Sequence, residues 1–523
     1  MVLINRVIYL LAFDFNIVSS SLNNEHNFVS GRDYLNKIIQ IPLKTPYAQQ
    51  EDIAKVLLKG IDDVFSLDIN RFEWKKAHEL SLYQLGWINL FNTLRSVKRF
   101  LNLLQFEYSK VKNRVNRADF LVITSFKLFY PKEYDAIYQY KELLTGTRKK
   151  FTAIVTDMKK ADKTTMEKLF SQFNEDFSNN CIKLLYELFP YIKFVFENVH
   201  WSDQEIALTR KEGRICSIEN FDSYYSLQLP DNYISFIEMQ NIIMTISEQQ
   251  DFERTLISLN EKDSLWSFLY RFRDYREEIK PHSIPIIINS FLNISDQLKI
   301  TSKGINTFPI FSSHLIIYII FDLLKTIINE SDRFEVIKKS IIGSENNLST
   351  VVSIVNELEG NYNHRRSEDD PNSVFHSKSN IDKLITIAKN KIRDFSQKDK
   401  LKSARDLELI LLCYKDWEKD IIIYNSSFEK LTNKNDDLID LLQHFVFNTD
   451  HYSGDIFTNR EVSINFKSLN KLTTKENIDK IQKRIEQVIQ NKSYKTDEKR
   501  NLCELFIKVA NDKNNNIEGV KVN

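Results

Sequence analysis

The sequence predicts a mainly α-helical protein with one residual α/β piece near its start. Glycine and proline are scarce, with 10 and 9 residues in a chain of 523, against averages of about 7% and 5%. So few turn-forming residues favour long helices, and apolar residues recur at helical spacing through most of the chain. One uninterrupted apolar run breaks this pattern at residues 7–13, directly before Asp14. Such a run is typical of a strand buried on both faces of a parallel sheet.

Asp14 is the first candidate site residue, because ligands of open α/β sheets bind outside the carboxyl ends of the strands. A parallel strand needs neighbours, and only six residues precede this one. The rest of the sheet must therefore come either from later segments or from sequence that lies before Met1. An alternative interpretation, a Walker B strand, is weakened by Phe15, which stands where that motif usually has a second acidic residue.

The bulk composition argues against several classes of function. The net charge is +1 at pH 7, so no general attraction to nucleic acid or to a membrane surface is expected. The four cysteines are widely separated and the nine histidines show no ligand spacing, so we predict neither a metal site nor a disulfide framework. A reducing cytoplasm is the expected location.

Two segments invite a membrane interpretation, and polar residues argue against both. Arg6 and the apolar run after it resemble a signal peptide, but Asp14 cuts the apolar core short. Residues 308–328 are the most apolar stretch of the chain, yet they include His314, Asp322 and Lys325. We predict a buried core helix there rather than a membrane span.

The segments after Asp14 alternate between amphipathic helices and polar loops. A helix is predicted around residues 17–22, and a second helix begins at Gly31. A third helix, around residues 53–57, is predicted to end at Gly60.

Residues 94–108 predict a longer helix for which Thr93 is a suitable N-cap. Arg95, Arg99 and Asn102 form a polar stripe at i, i+4 and i+7 on this helix, and two guanidiniums on one ridge are suited to grip a phosphate bidentately. The alternative is that the two arginines only solvate an exposed face. A separate apolar stripe consists of Leu94, Val97, Leu101, Leu104 and Tyr108.

The remaining sequence is predicted to be helical, with boundaries at polar stretches. Asp119 is predicted to cap a helix over residues 120–129, Pro131 to begin the next helix, and Gly146 to close the segment. We predict three domains, at residues 1–150, 151–360 and 361–523. Residues 360–380 are predicted to be a loop or linker, and the tail beyond Asn511 to be disordered.

The most informative absence is a phosphate loop. Its motif, Gly-x-x-x-x-Gly-Lys-Ser/Thr, needs two close glycines so that backbone N–H groups surround the phosphates. The nearest two glycines in this sequence are Gly343 and Gly360. The chain also lacks a His-Glu-x-x-His motif and a Gly-x-Ser-x-Gly elbow.

Several segments nevertheless form an ordered pattern. Residues 9–14 (Tyr-Leu-Leu-Ala-Phe-Asp), residues 34–42 (Tyr-Leu-Asn-Lys-Ile-Ile-Gln-Ile-Pro) and residues 94–102 (Leu-Arg-Ser-Val-Lys-Arg-Phe-Leu-Asn) resemble the KAP P-loop NTPases, a group within the AAA+/STAND assemblage. They are similar, in order, to a strand that ends at a sensor position, to a Tyr-Leu-x-Lys-Ile-x-Gln segment and to an arginine-bearing lid helix. The similarity continues at residues 119–131 and 220–230.

The resemblance implies a P-loop NTPase core with a helical lid, followed here by a long helical region. It implies ATP and Mg²⁺ as cofactors, Asp14 near the γ-phosphate, and Arg95 or Arg99 in contact with phosphate. Lys37 would lie where a neighbouring subunit is met. The segments carrying Walker A and Walker B would precede Met1, so we expect a partner that is an upstream NTPase half or a second copy. We expect the chain alone to bind ATP weakly or not at all.

Two functional hypotheses from different classes are consistent with the sequence. The first is a KAP-type ATP-binding and ATP-hydrolysing switch, in bacterial phage defence, where the family often occurs. The second is a non-catalytic helical interaction or sensor protein with a degenerate NTPase remnant. A third alternative, an effector enzyme after residue 380, lacks the clustered carboxylates that it would need.

Overall fold

The computed structural model describes residues 10–25, 30–43, 48–66, 81–147, 155–177, 179–299, 302–305, 308–367, 370, 372–453 and 456–511. These residues are mostly helical, and strands occur among them only in two short hairpins. The prediction of a mainly α-helical protein is therefore confirmed. The predicted disordered tail beyond Asn511 lies outside the described residues.

The chain divides into two compact units. The first comprises residues 1–70 and 88–102, and the second comprises residues 71–87 and 103–523. The predicted boundaries at residues 150 and 360 stay predictions. The first unit contains α1 (Phe15–Glu25), α2 (Gly31–Ile38), α3 (Gln50–Phe65) and the beginning of α4 (Leu94–Val111).

Gly60 does not end the third helix, as predicted, but lies within α3, which continues to Phe65. A Cβ atom at Gly60 would lie 2.3 Å from Leu101 Cδ1 on α4. The glycine therefore permits close packing of two helices, which a sequence pattern cannot distinguish from a helix end. Ile53, Leu57 and Ile61 form the buried face of α3.

The predicted strand at residues 7–14 differs from the structure. Residues 7–9 lie outside the described residues, and residues 10–14 form no strand. Leu10 is 88% exposed, and Leu11 and Phe13 are also exposed. A parallel strand requires a hydrogen-bonding neighbour, and the strands of the two described hairpins pair only with each other.

The second unit begins with the end of α4 and a series of short helices. Asn116, and not Asp119 as predicted, caps the first of them. Pro131 begins the next helix and Gly146, with φ +72°, follows the short helix after it, both as predicted. The helices are α5 (Arg117–Phe129), α6 (Pro131–Gln139), α7 (Lys141–Leu144), α8 (Val155–Phe170), α9 (Asn179–Leu188), α10 (Pro190–Glu197), α11 (Asp203–Lys211) and α12 (Ile218–Phe221).

The unit continues through helices that pack around one extended apolar core, which runs from Ile234 to Phe506. Two antiparallel hairpins interrupt them. The elements are α13 (Phe236–Met244), α14 (Gln249–Glu261), α15 (Leu265–Phe272), α16 (Ser283–Ile294), β1 (Ser302–Ile305), β2 (Phe308–Phe311), α17 (Ser312–Thr326), α18 (Glu330–Gly343), α19 (Leu348–Asn363), α20 (Lys378–Gln397), α21 (Leu407–Trp417), α22 (Ile421–Thr432), α23 (Asn435–Gln443), β3 (Val446–Ser453), β4 (Ile456–Ile464), α24 (Phe466–Leu472), α25 (Lys475–Gln490) and α26 (Asp497–Asn511).

The most apolar predicted segment is the core helix α17. It buries eight side chains, including Ile316, Ile320 and Leu324. Asp322 on the same helix accepts a hydrogen bond from Arg273 Nε at 2.7 Å. None of the helices in the described part of the chain is both long enough and apolar enough to cross a membrane.

A fully buried ion pair holds α5 against the turn that follows α11. Asp119 is 0% exposed, and its Oδ2 accepts hydrogen bonds from Arg214 Nε at 2.7 Å and from the Ile215 backbone N–H at 2.9 Å. Burial by itself lowers the pKa of the Arg214 guanidinium, but the Asp119 carboxylate and its other neighbours together raise that pKa above its usual value. The two buried groups therefore depend on each other.

We expect Asp119→Ala to destabilise the protein by about 3–5 kcal/mol, because Arg214 would stay buried without its counter-charge. The free energy of unfolding, measured by urea denaturation, checks this. The matched control is Asp222→Ala, which removes a half-exposed carboxylate paired with Lys141 and should cost at most about 1 kcal/mol. Equal losses in the two variants would contradict the prediction.

Candidate functional site

The arginine stripe predicted from the sequence lies at the beginning of α4. Thr93 caps this helix as predicted: its Oγ1 accepts the Ser96 N–H at 3.0 Å, while Ser96 Oγ accepts the Thr93 N–H at 3.3 Å. This reciprocal pair fixes the helix start. The cap therefore fixes the backbone positions of Arg95 and Arg99, which lie about one helical turn apart.

The two faces of α4 have opposite characters. Val97 and Phe100 are completely buried, and the ring centroids of Phe100 and Phe91 are 5.0 Å apart in an edge-to-face contact. Arg95 and Arg99 are exposed. Within the described residues, no ion pair joins either guanidinium to a carboxylate.

Sequence reasoning missed one cation on this surface. Lys98 is exposed like its neighbours, and it lies three residues after Arg95 and one before Arg99. The i, i+3 spacing places it beside Arg95 on the helix surface. The same spacing rule could have found it. We call Arg95, Lys98 and Arg99 the α4 cationic ridge.

Asp14 lies directly before helix α1 and not at the end of a strand. Its Oδ1 accepts hydrogen bonds from the backbone N–H groups of Asn16 at 2.9 Å and Ile17 at 3.1 Å. Asp14 is thus an exposed N-cap of α1. In the described residues no hydrogen bond or ion pair joins Asp14 to Arg95 or Arg99, so the structure does not bring the three predicted site residues together through direct contacts.

The cysteines and potential metal ligands of the described residues are further candidates for site chemistry. No group of three or more His, Cys, Asp or Glu side chains in the described residues could hold a metal ion. All four cysteines are buried and unbridged. Burial raises the pKa of the Cys216 and Cys413 thiols to about 12 and that of Cys503 to about 11. Thiols with such pKa values are poor nucleophiles at neutral pH.

Comparison with known families gives one match. Residues 1–111 match the family described as the KAP family P-loop domain. The resemblance predicted from residues 9–14, 34–42 and 94–102 is therefore confirmed, and the match ends before the weaker similarities at residues 119–131 and 220–230. No curated protein and no solved structure matches the chain.

The native protein should react slowly with a thiol reagent such as DTNB at pH 8, because all four thiols are buried and burial raises three of their pKa values. In urea all four should react quickly. The exposed-site variant Lys262→Cys gives the rate expected for an accessible thiol. A native thiol that reacts as fast as the one in this variant would contradict the prediction.

Proposed function

We propose that the chain contributes the lid part of a KAP-type P-loop NTPase, in which the α4 cationic ridge contacts the phosphates of ATP. The observation that carries this is the ridge itself. Its cations are exposed and lie on a helix whose other face is completely buried at Val97 and Phe100. The ridge falls within the segment that matches the KAP family P-loop domain.

The placement of these cations opposes the stability of the helix. A helix N-terminus carries a partial positive charge and favours acidic residues, but the first turn of α4 has none. Arg95 and Arg99 are also at i, i+4 spacing, where like charges destabilise a helix by about 0.2–0.5 kcal/mol. An anionic ligand would remove both penalties. Nucleotide phosphates are such a ligand, and arginine binds them bidentately.

Guanidinium groups at the phosphates would neutralise the charge that develops during phosphoryl transfer. Mg²⁺ in such sites is usually held by one or two carboxylates together with the phosphates. Asp14 is the predicted carboxylate near the γ-phosphate. For this role its Oδ2 is the relevant atom, since Oδ1 accepts the two N–H groups of α1.

We propose further that the phosphate loop comes from another polypeptide segment, because this sequence contains no such motif. The first unit exposes several large apolar side chains, which a P-loop core would cover. They are Leu10, Leu11, Phe13, Ile17, Tyr34, Ile38, Ile41 and Leu43. A role in bacterial phage defence belongs to the proposal through the family resemblance alone.

A second candidate function is a non-catalytic helical interaction or sensor protein. The absence of the phosphate-loop motif favours it. In that case the α4 cationic ridge would bind an acidic partner or only solvate the helix, and the helices of the second unit would carry the activity. The two candidates differ in whether ATP turnover depends on Arg95 and Arg99.

In the assembled NTPase, purified from its host with an affinity tag on this chain, Arg95→Ala with Arg99→Ala should lower ATP turnover by about 10²–10³-fold. The physical reason is the loss of two cations at the transferred phosphate. The control Lys55→Ala with Lys59→Ala removes two exposed cations from α3 and should leave turnover unchanged. Circular dichroism verifies that both variants fold. Unchanged turnover in the arginine variant would overturn the phosphate role.

The purified chain alone should bind ATP weakly, with no Kd in the micromolar range by isothermal titration calorimetry. A P-loop supplies most phosphate contacts through its backbone N–H groups, and arginines on one exposed ridge cannot replace them. A micromolar Kd would contradict the proposal that the loop lies on another segment. Mixing with that segment should restore tight binding.

A further inference from the structure

The second unit contains a cavity of about 430 Å³ that is independent of the α4 cationic ridge. Its wall is formed by the turn at residues 295–299, the first turn of α17, the middle of α19, residues 405–412 and His444. This volume is within the range of small-molecule sites. The side chains that line it mix aliphatic, hydroxyl, amide and charged groups.

Hydrogen bonds between distant segments fix this wall. Asp296 accepts the backbone N–H groups of Ser349 and Thr350 at 2.9 and 3.0 Å, and the Thr350 hydroxyl at 2.6 Å. Arg405 Nη1 donates to the Ser295 carbonyl at 2.9 Å, and its Nη2 lies 3.6 Å from Asp296 Oδ1. The cavity therefore lies between well-anchored segments and is not a gap between loose loops.

Several polar groups on the wall have hydrogen-bonding capacity that described residues do not use. Asn356 Oδ1 accepts the Cys413 thiol at 3.4 Å, which leaves Nδ2 as a donor. Glu357 forms no ion pair with a described residue, and the Ser313 hydroxyl forms no hydrogen bond with one. The first turn of α17 receives no side-chain cap, so its N–H groups add to the donors near Ser313.

The charges on the wall have both signs. Lys299 and Arg405 are cationic, whereas Asp406, Glu357 and Glu408 are anionic. Arg405 is occupied by Asp296 and Asp406, whereas Lys299 Nζ has an exposed carboxylate partner, Asp263 Oδ1, at 3.5 Å. A polyphosphate would meet three carboxylates here, and a simple cation would meet a lysine and an uncapped helix N-terminus. Neither suits the whole cavity.

The wall of the cavity also has an apolar part, which sets a requirement on the ligand. It consists of Leu298, Ile316, Ile317, Leu407, Leu409 and Leu412. These side chains would gain about 25 cal/mol for each Å² of apolar surface that a ligand removes from water. A suitable ligand therefore has an apolar body as well as polar ends.

We propose that this cavity binds a small zwitterion with an apolar body, of the class of a free apolar amino acid or a short apolar peptide. Its ammonium group would interact with Glu357, its carboxylate with Lys299 and the Ser313 end of α17, and its side chain with the leucines and isoleucines. Charge-assisted hydrogen bonds at both ends would set the orientation.

The test is calorimetric titration of the purified full chain with L-leucine, L-phenylalanine and the dipeptide Leu-Leu. N-acetyl-L-leucine lacks the ammonium charge and L-leucinamide lacks the carboxylate, so each should bind about tenfold more weakly than leucine. Tighter binding of the dipeptide than of both amino acids would assign the site to peptides, and the reverse order would assign it to free amino acids.

Two variants link binding to the cavity. Glu357→Gln should weaken leucine binding about tenfold while leaving the affinity for N-acetyl-L-leucine unchanged. Ser353→Phe should fill the space and abolish binding of every ligand. Lys339→Ala, an exposed change on α18, is the control for general effects on stability.

Three results would overturn the proposal. The first is that no zwitterion at 10 mM gives a binding heat although the thermal unfolding transition is intact. The second is equal affinity for leucine and N-acetyl-L-leucine. The third is leucine binding that persists in the Ser353→Phe variant. Titration with adenosine, an uncharged heterocycle, provides a fourth criterion, because tighter binding of adenosine than of leucine would assign the cavity to another ligand class.

Discussion

The completely buried carboxylate of Asp119 is the constraint on which the first part of the second unit depends. A charge removed from water must be paired and hydrogen-bonded, or it destabilises the fold by several kcal/mol. Arg214 and the Ile215 N–H meet this requirement. They can do so only because the chain turns sharply at Gly213, where φ is +66° and a Cβ atom would lie 2.4 Å from Phe236.

The polar contacts around this pair extend it along the chain. Tyr224 donates its hydroxyl to the Gly213 carbonyl at 2.7 Å and accepts the Asn116 N–H at 2.8 Å. Four residues before Arg214, Arg210 binds Asp274 through two hydrogen bonds at 2.8 and 2.9 Å. Successive ion pairs thus connect α5, the end of α11 with the turn after it, and the turn that follows α15.

At the beginning of α4, the buried and the charged residues have opposite effects on the stability of the helix. Its buried residues stabilise the helix, whereas its exposed cations oppose the helix dipole and repel each other. Stability therefore explains Val97 and Phe100 but not Arg95, Lys98 and Arg99. In the proposed function, an anionic ligand offsets these unfavourable charges, which lie within the segment matching a P-loop domain. The cavity near α17 differs, since its mixed charges are already partly paired.

The sequence by itself determined the helical class, the buried helix α17, the Thr93 cap and the positions of Arg95 and Arg99. These features depend on periodicity, composition and contacts within a few residues. It also carried the family resemblance of the first 111 residues, because motifs are local strings.

Only the tertiary structure determined which residues contact each other when they are far apart in the sequence. Asp119 was predicted to be a cap, yet it binds Arg214, 95 residues away. Gly60 was predicted to end a helix, yet it accommodates Leu101. Residues 10–14 have the composition of a strand, but no described strand pairs with them. The cavity combines residues from five separate segments. Local propensity cannot specify such partners, because burial and pairing are properties of the folded chain as a whole.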